Sequence, residues 1–171
     1  IISGGVAGGA TTAARLRRCD ERAEIVLVER GPYISFANCG LPYHISGAIA
    51  ERGKLLVTTE AGFTARYAID VRSRTEALSI ARAAKTVTLR NLDSGEEAIE
   101  SYDRLLLSPG AEVLKPPIPG IGSPRIFTLR NIPDLDRIMS SLGENKPRRA
   151  VVIGGGFIGL EVAENFHDRG L

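Results

Sequence analysis

The sequence predicts an α/β fold in which short strands alternate with helices, and three observations predict it. A short aliphatic strand, Ile1-Ile2-Ser3, runs straight into the glycine-rich turn Gly4-Gly5-Val6-Ala7-Gly8-Gly9. Residues 10–18 then read as a helix and Glu24-Ile25-Val26-Leu27-Val28-Glu29 as a second strand, completing a βαβ unit. The same pattern returns 150 residues later (154 − 4), where Val151-Val152-Ile153 leads into Gly154-Gly155-Gly156-Phe157-Ile158-Gly159 and a helical stretch.

Each element has a chemical reading. A dinucleotide pyrophosphate requires a tight turn, a backbone clear of side chains, and a helix N-terminus whose free N–H groups face the phosphate. Gly4, Gly8 and Gly9 supply much of this, with Val6 and Ala7 between them, and Val6 stands where G-x-G-x-x-G has its middle glycine. Glu29 ends the second strand about 20 residues past Gly9, the distance at which an acidic side chain meets a ribose hydroxyl pair. The second turn is unbroken, and Ile158, Val162 and Phe166 fall at i, i+4 and i+8 of the helix it opens, on a face that calls for a sheet. Two such turns imply two nucleotides. The residue that separates NADH from NADPH falls about 20 residues past Gly159, beyond Leu171.

Composition narrows the class. The 171 residues carry 22 Lys+Arg against 20 Asp+Glu, a balance that offers no field for nucleic acid or a membrane surface. No apolar stretch approaches the roughly 20 residues of a membrane span. Two cysteines are too few for a disulfide scaffold, so a reducing cytoplasm is the expected compartment. No metal-ligand cluster is expected. The missing initiator Met, the short first strand and a last helix with no following strand make the chain read as a fragment of a longer enzyme.

Between the two turns lies Cys39. A catalytic thiol must be a thiolate, and a helix starting at Gly40-Leu41-Pro42 would place partial positive charge and free N–H groups beside Cys39. Ile34 and His44 occupy the positions five residues away, so there is no local dithiol, and Cys39 would work alone through a mixed disulfide, a persulfide or a sulfenic acid. The competing reading is a buried small hydrophobe. Cys19, at the end of the first helix, reads as a bystander. His44 reads either as a proton carrier near a thiolate or as an ordinary packed or surface histidine.

Taken together, Gly4 through Thr11, Ser35-Phe36-Ala37-Asn38-Cys39-Gly40-Leu41-Pro42-Tyr43, Tyr102-Asp103-Arg104-Leu105-Leu106-Leu107-Ser108-Pro109-Gly110-Ala111 and Gly154 through Glu161 resemble the coenzyme A-disulfide reductases. These belong to the single-cysteine branch of the pyridine nucleotide-disulfide oxidoreductases, with NADH oxidases, NADH peroxidases and NADH-dependent persulfide reductases. The resemblance implies a Rossmann-like FAD-binding domain over 1–114 with an inserted β-meander. A connector and the start of a second Rossmann-like, NAD(P)-binding domain follow over 115–171. It implies FAD and NAD(P)H as cofactors, with Cys39 as the redox-active residue receiving electrons from the nicotinamide by way of the flavin. Cofactor contacts are implied for Gly4, Val6, Ala7, Gly8, Gly9, Glu29, Arg30, Ser35, Asn38, Ser108, Pro109 and Gly110, and for Gly154, Gly156, Phe157, Ile158, Gly159 and Glu161. Phe157 takes the aromatic position that shields the flavin in similar enzymes, the alternative being core packing.

The middle of the chain reads as support. Leu105-Leu106-Leu107-Ser108 is expected to form a buried strand ending in the turn Ser108-Pro109-Gly110, and alternations between Val71 and Ile99 predict a β-meander that serves as scaffold. Lys115 to Gly120 is a stiff connector, and residues 134–142 a short helix after Pro133. Arg15, Arg17 and Arg18 sit late in the first helix, where cations complement the helix C-terminus. The resemblance gives Arg15 and Arg18 a second reading, as contacts to the phosphates of a coenzyme A-type thiol or disulfide. The expected activity is FAD-dependent NAD(P)H reduction of coenzyme A disulfide or persulfide by a homodimeric parent. Reduction of peroxide or oxygen through a sulfenic acid is the alternative, and an inactive nucleotide-binding fragment the other.

Overall fold

The computed structural model describes residues 1–171 and divides into two compact units, Ile1–Phe36 with Leu56–Gly110, and Ala37–Leu55 with Ala111–Leu171. In chain order the elements are β1 (Ile2–Ser3), α1 (Gly8–Cys19), β2 (Val26–Val28), α2 (Leu41–Ser46), α3 (Glu60–Tyr67) and β3 (Asp70–Arg72). They continue with β4 (Thr75–Ala81), β5 (Thr86–Asn91), β6 (Glu97–Ser101), β7 (Leu106–Leu107), α4 (Ile132–Asn145) and α5 (Phe157–Asp168).

The first unit is built on a parallel sheet of order β3-β2-β1-β7, in which Ile2 is in register with Leu27 and Leu106, and Leu27 with Val71. Parallel strands are covered on both faces, and both coverings are present here. On one face α1 lies close because its inward residues Ala10, Ala13 and Ala14 are small, and it shares a core with Ile2, Leu27 and Phe63. Each fully buried aliphatic, such as Leu27 or Ile34, contributes about 1.5–3 kcal/mol. On the other face Val28 packs with Val87 and Leu89 of the antiparallel meander β4-β5-β6. The β4–β5 pairing shifts register between Ala77 and Ser79, a one-residue bulge at Leu78. Arg72 of β3 pairs with Asp70 at 2.8 Å and reaches Glu100 of β6 at 2.6 Å. Val71 thus belongs to the parallel sheet, and the meander begins at Thr75. Helix α3, not anticipated from the sequence, starts where the Thr59 hydroxyl accepts the Gly62 N–H at 3.1 Å.

In the second unit Asn38–Gly40 and Arg52–Leu55 form 3₁₀ turns around α2. Helix α4 outruns the expected 134–142 because Asn131 caps it, its Oδ1 accepting the Asp134 N–H at 2.9 Å, and Ile132, Leu135 and Ile138 are buried. Helix α5 packs against α2, and Arg169 donates to the Ile45 carbonyl at 2.6 Å.

Two expectations fail for one reason, that a strand is made by its neighbours. Val151-Val152-Ile153 forms no strand, and Val151 and Ile153 are 87% and 86% exposed, because no segment pairs with them. Ile158 on the supposed sheet-facing stripe is exposed for the same lack. The strand expected over 105–108 is only β7, two residues at the sheet edge with Leu107 59% exposed, since an edge strand has a single neighbour.

Candidate functional site

The first glycine turn is shaped by backbone crowding. Gly4 has φ +95°, and a Cβ on it would lie 2.0 Å from the Ser108 carbonyl oxygen, so β1 leaves the sheet directly against the end of β7. A Cβ on Gly9 would lie 1.7 Å from the Gly4 carbonyl oxygen, and one on Gly8 would meet the Ser108 hydroxyl at 2.5 Å. Val6, in place of the middle glycine, keeps a negative φ; the unusual conformation falls on Ala7 instead. Ala7 has φ 64° and ψ −75°, and Gly8 N–H donates to the Val6 carbonyl at 3.2 Å, a γ-turn that costs about 1–3 kcal/mol in a non-glycine residue. No side chain caps α1 and its first turn holds no acidic residue, so its N-terminal end carries uncompensated positive character.

Glu29 follows β2 and its carboxylate is pinned on both oxygens. Oε2 accepts the Gly5 N–H and Oε1 the Gly31 N–H, each at 2.7 Å. Gly5 is the constrained residue of this turn that motif reading passes over. It occupies a nominally free position of the fingerprint, yet a Cβ there would lie 2.5 Å from the Ile34 carbonyl oxygen, and the doubled Gly4-Gly5 was the available signal. Ser108, Pro109, Gly110, Arg30 and Ser35 belong to this same unit. Arg15 and Arg18 are exposed on α1, whereas Arg17 is occupied structurally, donating to the carbonyls of Tyr67 and Ala68 at 2.8 Å and of Glu21 at 2.7 Å.

The second unit carries Asn38, Cys39 and the second turn. Cys39 is free and exposed within the 3₁₀ turn that precedes α2, so it is no buried hydrophobe; Cys19 is free and exposed as well. Asn38 beside it has a buried Oδ1 with no hydrogen-bond partner. The His44 ring places Nδ1 2.7 Å from the Ile49 carbonyl; a carbonyl only accepts, so Nδ1 carries the hydrogen. The second turn shares two features with the first, a left-handed Gly154 at φ +112° and a Cβ on Gly159 falling 2.0 Å from the Gly154 carbonyl oxygen, but it has no counterpart of the Ala7 γ-turn, and a Cβ on Gly154 would meet nothing within 4 Å. Gly156 caps α5 with no side chain. Phe157 is 89% exposed and therefore not packed in a core, Ile158 is exposed, and Glu161 is half-buried. No group of three or more His, Cys, Asp or Glu is arranged to hold a metal, and no helix is long and apolar enough to cross a membrane.

The family model described as pyridine nucleotide-disulphide oxidoreductase matches residues 1–171. The chain belongs to that family. It is 42% identical over 171 residues to the coenzyme A disulfide reductase of Staphylococcus epidermidis, covering 100% of this chain and 38% of the relative. Among solved structures, the reduced CoADR-RHD of Bacillus anthracis superposes with a TM-score of 0.96 at 54% identity, covering 99% of this chain and 31% of that one. An NAD-dependent persulfide reductase from A. fulgidus superposes at 0.94 with 40% identity and the same coverage. The chain therefore spans well under half the length of these relatives. FAD and NAD(P)H are the cofactors that go with this membership. The residues fit them: glycine cradles that a Cβ would fill, uncapped helix starts, a carboxylate fixed at the end of β2, and an orphaned buried acceptor on Asn38.

Proposed function

We propose that this chain is the nucleotide-binding part of an FAD-dependent NAD(P)H oxidoreductase that reduces coenzyme A disulfide or persulfide through Cys39. The observation that carries the reading is the free, exposed thiol of Cys39, set between two glycine turns in family order. Residues 1–114 are assigned to the FAD-binding domain and 115–171 to the connector and the start of the NAD(P)-binding domain. Gly4, Val6, Ala7, Gly8, Gly9, Glu29, Arg30, Ser35, Asn38 and Ser108 to Gly110 would hold the flavin nucleotide. Gly154, Gly156, Phe157, Ile158, Gly159 and Glu161 would hold the nicotinamide nucleotide. When bound, these cofactors supply a hydride from the nicotinamide and pass its two electrons through the flavin to sulfur.

The chain's own residues do the rest. The Cys39 thiolate attacks one sulfur of coenzyme A disulfide, the S–S bond breaks, and one coenzyme A thiolate leaves, giving a Cys39 mixed disulfide. Two electrons cleave that bond, releasing the second coenzyme A thiolate and restoring the Cys39 thiolate. Exposed Arg15 and Arg18 are the cations assigned to the phosphates of the substrate. The parent is read as a cytoplasmic homodimer.

The test is the rate of NADH and NADPH oxidation by the enzyme containing this chain, with coenzyme A disulfide, coenzyme A persulfide, hydrogen peroxide or air as oxidant. Fastest turnover with the sulfur substrates, abolished by Cys39→Ser, is expected. Turnover that survives Cys39→Ser, or that prefers peroxide or oxygen, overturns the reading.

A further inference from the structure

The segment leaving β2 is sewn along its backbone to the end of β3, the β3–β4 turn and the first residue of the β-meander. Thr75 N–H donates to the Glu29 carbonyl at 3.0 Å, Arg74 N–H to the Gly31 carbonyl at 3.1 Å, and Glu29 N–H to the Arg72 carbonyl at 2.9 Å. Side chains continue the seam. Glu76 of β4 places Oε1 3.4 Å from Arg30 Nε, while its Oε2 accepts from Arg90 of β5 at 2.9 Å. The Glu76 side chain is 25% exposed and that of Arg30 is 69% exposed, so the carboxylate is the anchored partner. Arg30 directly follows Glu29, whose carboxylate is itself fixed to the glycine turn through Gly5.

The three side chains carry a net charge of +1, two guanidinium groups against one carboxylate. An adenosine diphosphate group offers what a guanidinium binds best, phosphate oxygens and an aromatic face. An unrestrained arginine at a water-exposed site loses rotamer freedom when it engages such a ligand, and a carboxylate that already holds its guanidinium removes part of that loss.

We propose that Glu76 is a positioning residue of the first dinucleotide site, acting through Arg30 on the adenosine diphosphate half of the ligand. The meander is then part of the site's binding apparatus as well as its scaffold. This rests on the reading of the first glycine turn as a dinucleotide site.

The test is calorimetric titration of ADP into the flavin-free protein for wild type, Glu76→Gln, Arg30→Ala and the double variant, with unfolding midpoints recorded alongside. Glu76→Gln is expected to weaken ADP about two- to fivefold, Arg30→Ala at least as much, and the double variant no more than Arg30→Ala alone. A purely electrostatic role predicts the opposite sign, because removing a carboxylate near a diphosphate tightens binding. Unchanged or tighter binding by Glu76→Gln, or additive losses in the double variant, overturns the proposal. Should Glu76→Gln unfold the protein, Arg30→Lys decides the matter: it keeps the charge but not the planar fork, a similar two- to fivefold loss supports the proposal, and full retention overturns it. Wild-type protein that binds no ADP takes down the reading of the glycine turn, and this proposal with it.

Discussion

Gly9→Ala isolates the contact on which the first βαβ unit turns. The added Cβ would stand 1.7 Å from the Gly4 carbonyl oxygen, 2.8 Å from its carbon and 3.1 Å from Ile2 Cγ2. Two of these are backbone atoms that no rotamer change can remove. Real Cβ contacts stay beyond about 3 Å, so α1 must retreat from β1 by more than about 1 Å, opening the Ala10, Ala13 and Ala14 contact with the sheet. Overpacking of this kind costs roughly 3 kcal/mol or more, and the better helix propensity of alanine returns only about 1 kcal/mol. A net loss of about 2–3 kcal/mol should lower the unfolding midpoint by roughly 4–12 °C for a chain of this size. Gly8→Ala is the matched control. Its Cβ meets the Ser108 hydroxyl, a side-chain atom that can rotate away, so its stability should stay within about 1 kcal/mol of wild type. Far-UV circular dichroism during urea and thermal unfolding measures both. Gly9→Ala as stable as Gly8→Ala would refute the claim that close helix–strand approach fixes this glycine.

Ala7→Gly should stabilise the chain by about 1 kcal/mol, since relief of the γ-turn outweighs the extra entropy of glycine; a lower urea midpoint would count against the strain argument. Glu29→Gln should cost about 1.5–3 kcal/mol, because an amide NH₂ group must face either the Gly5 or the Gly31 N–H and leaves that donor unpaired. Equal unfolding free energies for wild type and variant would show those bonds to be dispensable. The hydrogen bonds from Arg72 to Asp70, and next to Glu100, raise the Arg72 pKa above the ordinary guanidinium value. A raised pKa gives stability that is fully present below the unfolded value and is lost only as pH climbs through the folded one. The cost of Arg72→Gln, about 1 kcal/mol for a partly exposed network, should therefore stay flat between about pH 6 and 9; a slope across that range would contradict it.

Much of the site could be read from residue order alone. Both glycine turns, Glu29 at the end of β2 and Cys39 between them are local patterns whose spacing is set by how a strand, a turn and a helix follow one another. The left-handed Gly4 and Gly154 follow from the same requirement. Gly5 escaped because its constraint comes from the carbonyl of Ile34, a neighbour in space that no fingerprint encodes. Helix α3 escaped because it is short and its cap, Thr59, is one hydroxyl among many. Arg17 was read with Arg15 and Arg18 as one cluster, although it alone turns inward to the carbonyls at the end of α3.

Strand propensity misled at Val151-Val152-Ile153 because propensity describes a residue, whereas a strand requires hydrogen-bonding partners on another segment. Tertiary structure alone decided that Ala37–Leu55, with Cys39 on it, packs with Ala111–Leu171, held in part by Arg52 on Asp136 at 2.6 Å and Arg169 on the Ile45 carbonyl. It alone brought Glu76 to Arg30. Sequence by itself determined the βαβ opening, the two glycine-rich turns and the place of Cys39 between them, because the backbone conformations glycine permits and the periodicity of apolar residues act over a few neighbours. Ion pairs, register and the choice of which surface covers which depend on chain segments meeting across long separations, and that information exists only once the chain has folded.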